Sequence, residues 1–336
     1  MSLPADYPLA PGEIEKLERF PAISGAWTFS RGILVSLHEA LEDEFAGESI
    51  SIATAGSLGR LDACGQSDLD YMVISSAPMG ADEYGEHVKR IAAIASPMKL
   101  VLPNPGGVFT GPTEIKRLAD NIGKDEGESD LAHKMLLLME ARPLFNETLF
   151  EAAQDALPER YLAYLLDSPE KEALVLLNDV IRYFRTICIN YQFTFWHQEE
   201  KWPIRNVKLR HSRLVMYAGL LFLIMNASKP EYRGNKLGYI KSHLSLTPIE
   251  RIAHVYRDND DYNIDRVLAH WDFFLRRITN ADSRNRLQDI EYKSRYANPE
   301  YADLKINSDG LQSELTRFIW SRRGHWSSRV FEYLFF

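Results

Sequence analysis

The chain has 336 residues, 45% hydrophobic and 26% charged, proportions that fit a water-soluble globular protein of one large or two ordinary domains. With 47 acidic and 39 basic residues it carries a formal charge of −8, which argues against bulk binding to nucleic acid or anionic lipid and leaves only a local basic face open. Its two cysteines, Cys64 and Cys188, make neither a disulfide framework nor a metal knuckle, so a reducing, cytoplasmic setting is expected.

Met1–Pro8 has no basic start and no apolar run, so no secretory leader is expected. The longest apolar run, Tyr217–Met225, is too short to span a bilayer, and no membrane partner is expected. Pro11–Phe20 reads as a short helix. Apolar residues at 33, 34, 37, 41 and 45 recur at helical spacing, so Arg31–Phe45 is predicted to lay one face on a following sheet, with His38 as a structural residue.

Ser49–Ser75 is the most informative stretch. Ile50, Ile52, Ala53 and Ala55 predict a buried strand that stops at the small-residue turn Gly56-Ser57-Leu58-Gly59-Arg60. A second strand follows, carrying Asp68 and Asp70 ahead of Tyr71–Ile74. Strand side chains alternate, so the two aspartates share one face and Leu69 takes the other. Such a pair repels itself unless a cation neutralises it, and Mg²⁺ (or Mn²⁺) held by one or two carboxylates plus substrate phosphates is the usual answer. The turn offers what a phosphate needs. Gly56 and Gly59 allow close backbone approach, Ser57 a hydroxyl and Arg60 a planar fork, while Ser67 is placed to cap or orient the carboxylates.

Beyond this hairpin a helix is predicted over Asp82–Ala95, capped by Asp82, then a short strand over Met98–Leu102. The loop Pro103–Thr110 leaves the carboxyl end of that strand and is placed on the substrate side. From Thr113 the pattern is helical: Ser129–Glu140, then Glu147–Leu166 broken at Pro158, then Glu170–Trp196. The last carries a polar stripe, Asn178, Arg182 and Arg185, at i, i+4 and i+7. Pro203–Met225 is its expected partner, with Arg205, Lys208, Arg210 and Arg213 ahead of an apolar end; Arg182, Arg185 and Lys208 are candidates to face a triphosphate. Further helices are expected at Pro248–Arg257, Asp261–Thr279, after Asp282 and at Leu311–Arg323. The aromatic tail, ending at Phe336, should pack on the body or on a neighbouring chain, a route to a homo-oligomer.

The run G-S-L-G-R-L-D-A-C-G-Q-S-D-L-D-Y-M-V-I resembles the signature of the nucleotidyltransferase superfamily with the polymerase-beta-like fold. It is most similar to the PII-uridylyltransferase and DUF294-type branch. The phrase L-L-L-M-E-A-R-P-L-F-N is similar to the same branch, which implies a structural ion-pair role for Glu140 and Arg142. The motif covers under a tenth of the chain. The resemblance implies an α+β fold: a small mixed sheet with flanking helices over 1–125, then an all-α helical domain over 126–336. It also implies metal-dependent transfer of a nucleoside monophosphate from an NTP, ATP or UTP, with release of pyrophosphate. Asp68 and Asp70 would hold the metal, and Gly56, Ser57 and Arg60 the triphosphate. The acceptor is open among a protein, a small molecule and a tRNA end.

One departure stands out. The superfamily places a third carboxylate on the strand whose slot here falls near Lys99; Asn104 and Glu114 are the nearest substitutes. A regulatory or antitoxin-like NTP-binding module is therefore the alternative, and a toxin that modifies a protein tyrosine is a third reading. Arg205–His211 also fits the loose Arg-x(4–6)-His spacing of HEPN ribonucleases. No adjacent His-Asp pair occurs, which separates the chain from the full-length PII enzyme.

Overall fold

In the computed structural model the described residues are 17–103, 107–122, 128–163, 168, 170–197, 202–288 and 290–335. Four strands form one mixed sheet in the order β3-β2-β1-β4. β1 (Ile50–Thr54) pairs antiparallel with β2 (Tyr71–Ser75), from Ile50 opposite Ser75 to Thr54 opposite Tyr71. β3 (Thr113–Glu114) runs parallel to β2, and β4 (Arg142–Phe145) antiparallel to β1. All five residues of both central strands are buried, because the long first helix α1 (Pro21–Glu44) and a later helix, Glu147–Tyr161, cover the sheet.

Several local expectations shift. The predicted strand over Met98–Leu102 reduces to a single parallel bridge between Val101 and Asp68, since helix α2 (Ala81–Ala95) runs into a turn that puts Lys99 at φ +58. β3 takes the edge position instead. Asp82 lies inside the first turn of α2, where its charge favours the helix dipole, and the N-cap is Gly80. β4 follows helix α3 (Glu128–Met139) and so comes from beyond residue 125, which places the expected domain boundary inside the sheet. Pro158 does not break α4 (Glu147–Tyr161): it sits in the last turn, where little ladder is left to lose. Asn104 and Pro11–Lys16 lie outside the described residues.

The remaining chain is helical. α5 (Leu174–His197) packs against α6 (Trp202–Lys208) and α7 (Leu214–Asn226), which are joined through a π-helical turn at Leu209–Arg213. In a regular helix, residues five apart diverge by roughly 140°; the wider π-turn brings Lys208 and Arg213 toward one side. α7 meets α8 (Pro248–Arg257), whose start is set by Pro248 at its first position and a Thr247–Glu250 capping box. α9 (Ile264–Ile278) lies on α1, where Asp272 Oδ1 accepts from the Ala22 and Ile23 amides at 2.7 and 3.2 Å. α10 (Ala281–Gln288) and α11 (Pro299–Ser321) complete this side. The tail folds back as α12 (Ser328–Tyr333), with Trp326, Val330 and Phe331 buried and Trp326 Nε1 donating to Asn226 Oδ1. One hydrophobic cluster runs through sheet and helices alike. Among the described residues no helix is long and apolar enough to cross a membrane.

The α7–α8 contact depends on Gly219, where an added Cβ would stand 2.8 Å from the Pro248 Cα and O atoms. Gly219→Ala is expected to cost about 1–3 kcal/mol through overpacking, read as a lower denaturant midpoint. An unchanged midpoint would show that the helices separate freely there.

Candidate active site

The site forms where β1 hands over to the glycine-serine turn. That turn is a single helical one, Gly56–Gly59. The Thr54 hydroxyl and the Ala55 amide both donate to the Asp70 carbonyl, at 2.8 and 2.9 Å, and the Leu69 amide donates to Val101 O at 2.8 Å. The chain through Asp68–Asp70 is therefore held on both sides as it enters β2. Asp68 is exposed, Leu69 buried and Asp70 half-buried, the alternation expected of an extended segment.

Gly56 has φ +65, and a Cβ built there would lie 2.2 Å from Asp70 Oδ2. The carboxylate rests against the glycine backbone, so only glycine fits on both counts. Burial pushes the Asp70 carboxyl up to about 6; Arg213 pulls it down, while Glu140 and Asp68 add to the rise. It is a carboxylate in want of a cation.

Beneath the turn lies a buried ionic network. Glu140 Oε1 accepts from the Gly56 amide at 3.0 Å, and Oε2 accepts from Arg60 Nη1. Arg60 also grips Asp62 with Nε and Nη2, at 2.9 and 3.1 Å. Arg213 Nη1 approaches both Glu140 oxygens, at 3.4 and 3.5 Å. Burial works against the Glu140 charge, yet Arg60 and Arg213 hold its carboxyl below the usual range. Burial outweighs Arg60 at Asp62, whose carboxyl is raised. Two expectations change here. Arg60 is a core residue whose fork is occupied by Asp62 and Glu140, so although it borders the cavity beside Ser57 it does not have that fork free for a phosphate. Arg142 does not pair with Glu140: its Nε donates to Gly59 O at 2.8 Å, closing the same turn from outside.

On the other side of Ser57 the charge reverses. Ser57, Arg60, Asp62, Ser67, Lys208 and Arg284 are among the residues that border a cavity of about 30 Å³. Among the described residues the Lys208 ammonium has no hydrogen-bond or carboxylate partner; burial and the cations Arg284, Arg213 and Arg60 depress its pKa, with Asp62 the sole opposing charge. Among the described residues the Arg284 guanidinium has only the Cys64 sulfur, 3.9 Å from Nη1. The Ser57 and Leu58 amides, at the start of the turn, donate to no backbone carbonyl among the described residues. This is a pocket with surplus positive charge, open backbone donors and a hydroxyl, the chemistry of an anion site.

The other candidates fall elsewhere. Ser67 Oγ accepts from the Cys64 amide at 3.0 Å, so it caps its own loop rather than the aspartates. Arg182 and Arg185 are exposed on the outer face of α5, Arg182 beside Asp179 at 3.8 Å, away from the pocket that Lys208 borders. His211 of the HEPN-like spacing is buried, stacked on Phe274 and accepting from Asn307 Nδ2, a core histidine. Glu114 pairs with Ser75, at the far end of β2 and roughly 16 Å along the strand from Asp70 at 3.3 Å per residue, so it is no third ligand. Among the described residues no group of three or more His, Cys, Asp or Glu side chains gathers to hold a metal. A divalent ion at Asp68 and Asp70 would complete its shell with water and phosphate, as Mg²⁺ commonly does.

Asp62, Arg213 and Arg284 are the residues that sequence reading passed over. Arg213 lay in a basic run without a distinguishing mark, and Arg284 in a short polar segment that no motif flags. No protein-family model matches the chain, and no curated protein does either.

The raised Asp70 carboxyl has a measurable consequence. A carboxyl whose folded pKa exceeds its unfolded one binds its proton more tightly when folded, so ionising it destabilises the fold as pH rises from the unfolded value, about 3.9, and fully so above about 6. In metal-free buffer Asp70→Asn is therefore expected to raise the melting temperature at pH 7.5 and to leave it nearly unchanged near pH 4. An equal shift at both pH values would remove Asp70 ionisation as the cause.

Proposed function

We propose that the protein is a metal-dependent nucleotidyltransferase that moves a nucleoside monophosphate from ATP or UTP to an acceptor hydroxyl and releases pyrophosphate. One observation carries this reading: an acid pair suited to a divalent ion and a small cation-lined cavity, suited to an anionic oxygen rather than to a whole polyphosphate, stand on either side of Gly56–Ser57. A Mg²⁺ or Mn²⁺ ion on Asp68 and Asp70 would shield phosphate charge and ease deprotonation of an acceptor hydroxyl.

The chain's own groups supply the positioning. Ser57 offers its hydroxyl and amide as donors to phosphate oxygens, and Lys208 and Arg284 supply charge that Asp62, already bound to Arg60, offsets only in part. Glu140 and Arg60 touch no phosphate; they keep the turn that presents Ser57 in place. The acceptor belongs to one of three classes, a protein, a small molecule or a tRNA end.

A second reading is favoured by one specific feature. Lys99, exposed and at φ +58, stands in the slot of the third acid, and Glu114 lies at the other end of β2. An NTP sensor with little turnover, acting on a partner in a regulatory or antitoxin-like role, needs no third acid.

Labelled ATP and UTP with Mg²⁺ separate the two. The transferase reading expects pyrophosphate release that is lost in Asp68→Asn and Asp70→Asn, and a KM for NTP raised about tenfold or more in Arg284→Ala. Tight NTP binding without release, in the presence of cell extract, supports the sensor. Absence of NTP binding rejects both.

A further inference from the structure

The outer face of α5 carries a stripe that the candidate site does not use. Asn178, Arg182, Arg185, Ile189, Phe193 and Trp196 follow one another at steps of three or four residues, which keeps them within about 40° of one line along the helix. All six are exposed; Ile189, Phe193 and Trp196 are 68%, 58% and 70% accessible. The opposite face, with Leu176, Leu177, Val180 and Tyr183, is buried in the body. The helix is thus rigidly mounted while its outer stripe is basic in the first half and apolar in the second. A run of large apolar side chains this open marks an interaction surface.

The stripe is also its own complement. Reversed about residue 187, position 178 falls opposite 196, 185 opposite 189, and 182 opposite 192, one residue (about 1.5 Å along the axis) from Phe193. We propose that a second copy of this chain docks on α5 in a two-fold antiparallel arrangement. Arg182 and Arg185 of each protomer then lie over Phe193 and Ile189 of its partner, and each Trp196 covers the partner's polar end. A guanidinium over an aromatic face is attractive and needs no carboxylate in return. A self-complementary patch of this kind is what a closed two-fold interface requires.

The alternatives fit less well. Two arginines neutralise too few phosphates to hold a nucleic acid on a chain of charge −8, and Ile189 presents no ring to a base. The proposal is independent of the nucleotide chemistry above.

Sedimentation velocity across a concentration series tests it. The full chain is expected to sediment at twice its 38.5 kDa mass and to dissociate on dilution. Trp196→Glu and Phe193→Glu should each give monomer with unchanged helical circular dichroism and melting temperature, since both side chains are exposed. Arg182→Glu should weaken the dimer, and Trp196→Phe should retain it. A wild-type chain that is monomeric at every concentration, or a dimer that survives both glutamate variants, overturns the proposal.

Discussion

The site depends on a single buried carboxylate. Glu140 ties the Gly56 amide, Arg60 and, more loosely, Arg213 to one point under the glycine-serine turn. Removing one partner of such a buried pair leaves an uncompensated charge, which costs about 3–5 kcal/mol, whereas the intact set roughly balances its own desolvation. The network is therefore better understood as a fixture than as a source of stability. It holds the turn at one height, where the Gly56 backbone lies against Asp70 and the Ser57 amide has no backbone acceptor among the described residues.

The same network divides the surrounding charge. Asp62 and Glu140 are bound up with Arg60, so Lys208 and Arg284 are left with no direct ion pair among the described residues and with Asp62 as a shared, only partial counter-charge. A buried cation without a partner is unfavourable, and its pKa falls in consequence, as Lys208 shows. An anionic oxygen entering the pocket relieves that cost, and a divalent ion relieves the matching cost at Asp70. Both halves of the site are incomplete in complementary ways. The π-helical turn at Leu209–Arg213 contributes directly, because it swings Lys208 and Arg213 toward the same side of one helix line.

Much of this was legible in the chain itself. The pair β1 and β2, the carboxylates before β2 and the bounds of α8 follow from local rules: period-two burial, side-chain alternation, and a Thr247 cap ahead of Pro248. What stayed hidden is non-local. Glu140 reaches Gly56 across 84 positions, and Arg284 meets Cys64 across 220, separations that no spacing rule covers. β4 carries Pro143, which a sheet tolerates only at an edge or a bulge, and that β4 has both the edge position and a bulged register with β1 is visible only in the assembled sheet. Arg60 misled for a different reason. An arginine in a phosphate-binding type of turn looks like a ligand, and only its pairing with Asp62, two residues on, shows it to be core.

The central claim is that one phosphate group of an NTP meets Ser57 and the Lys208–Arg284 pair at the mouth of their small cavity while a divalent ion sits at Asp68 and Asp70. The most direct measurement is a crystal structure of the full chain with Mn²⁺ and a non-hydrolysable ATP or UTP analogue, using the anomalous signal of the metal. The expected result is a Mn²⁺ peak at Asp68 and Asp70, with a phosphate group of the nucleotide within hydrogen-bond reach of Lys208 or Arg284. A nucleotide bound in the separate cavity of about 670 Å³ beside Gly234 and Lys241, with no metal at the aspartates, would contradict it.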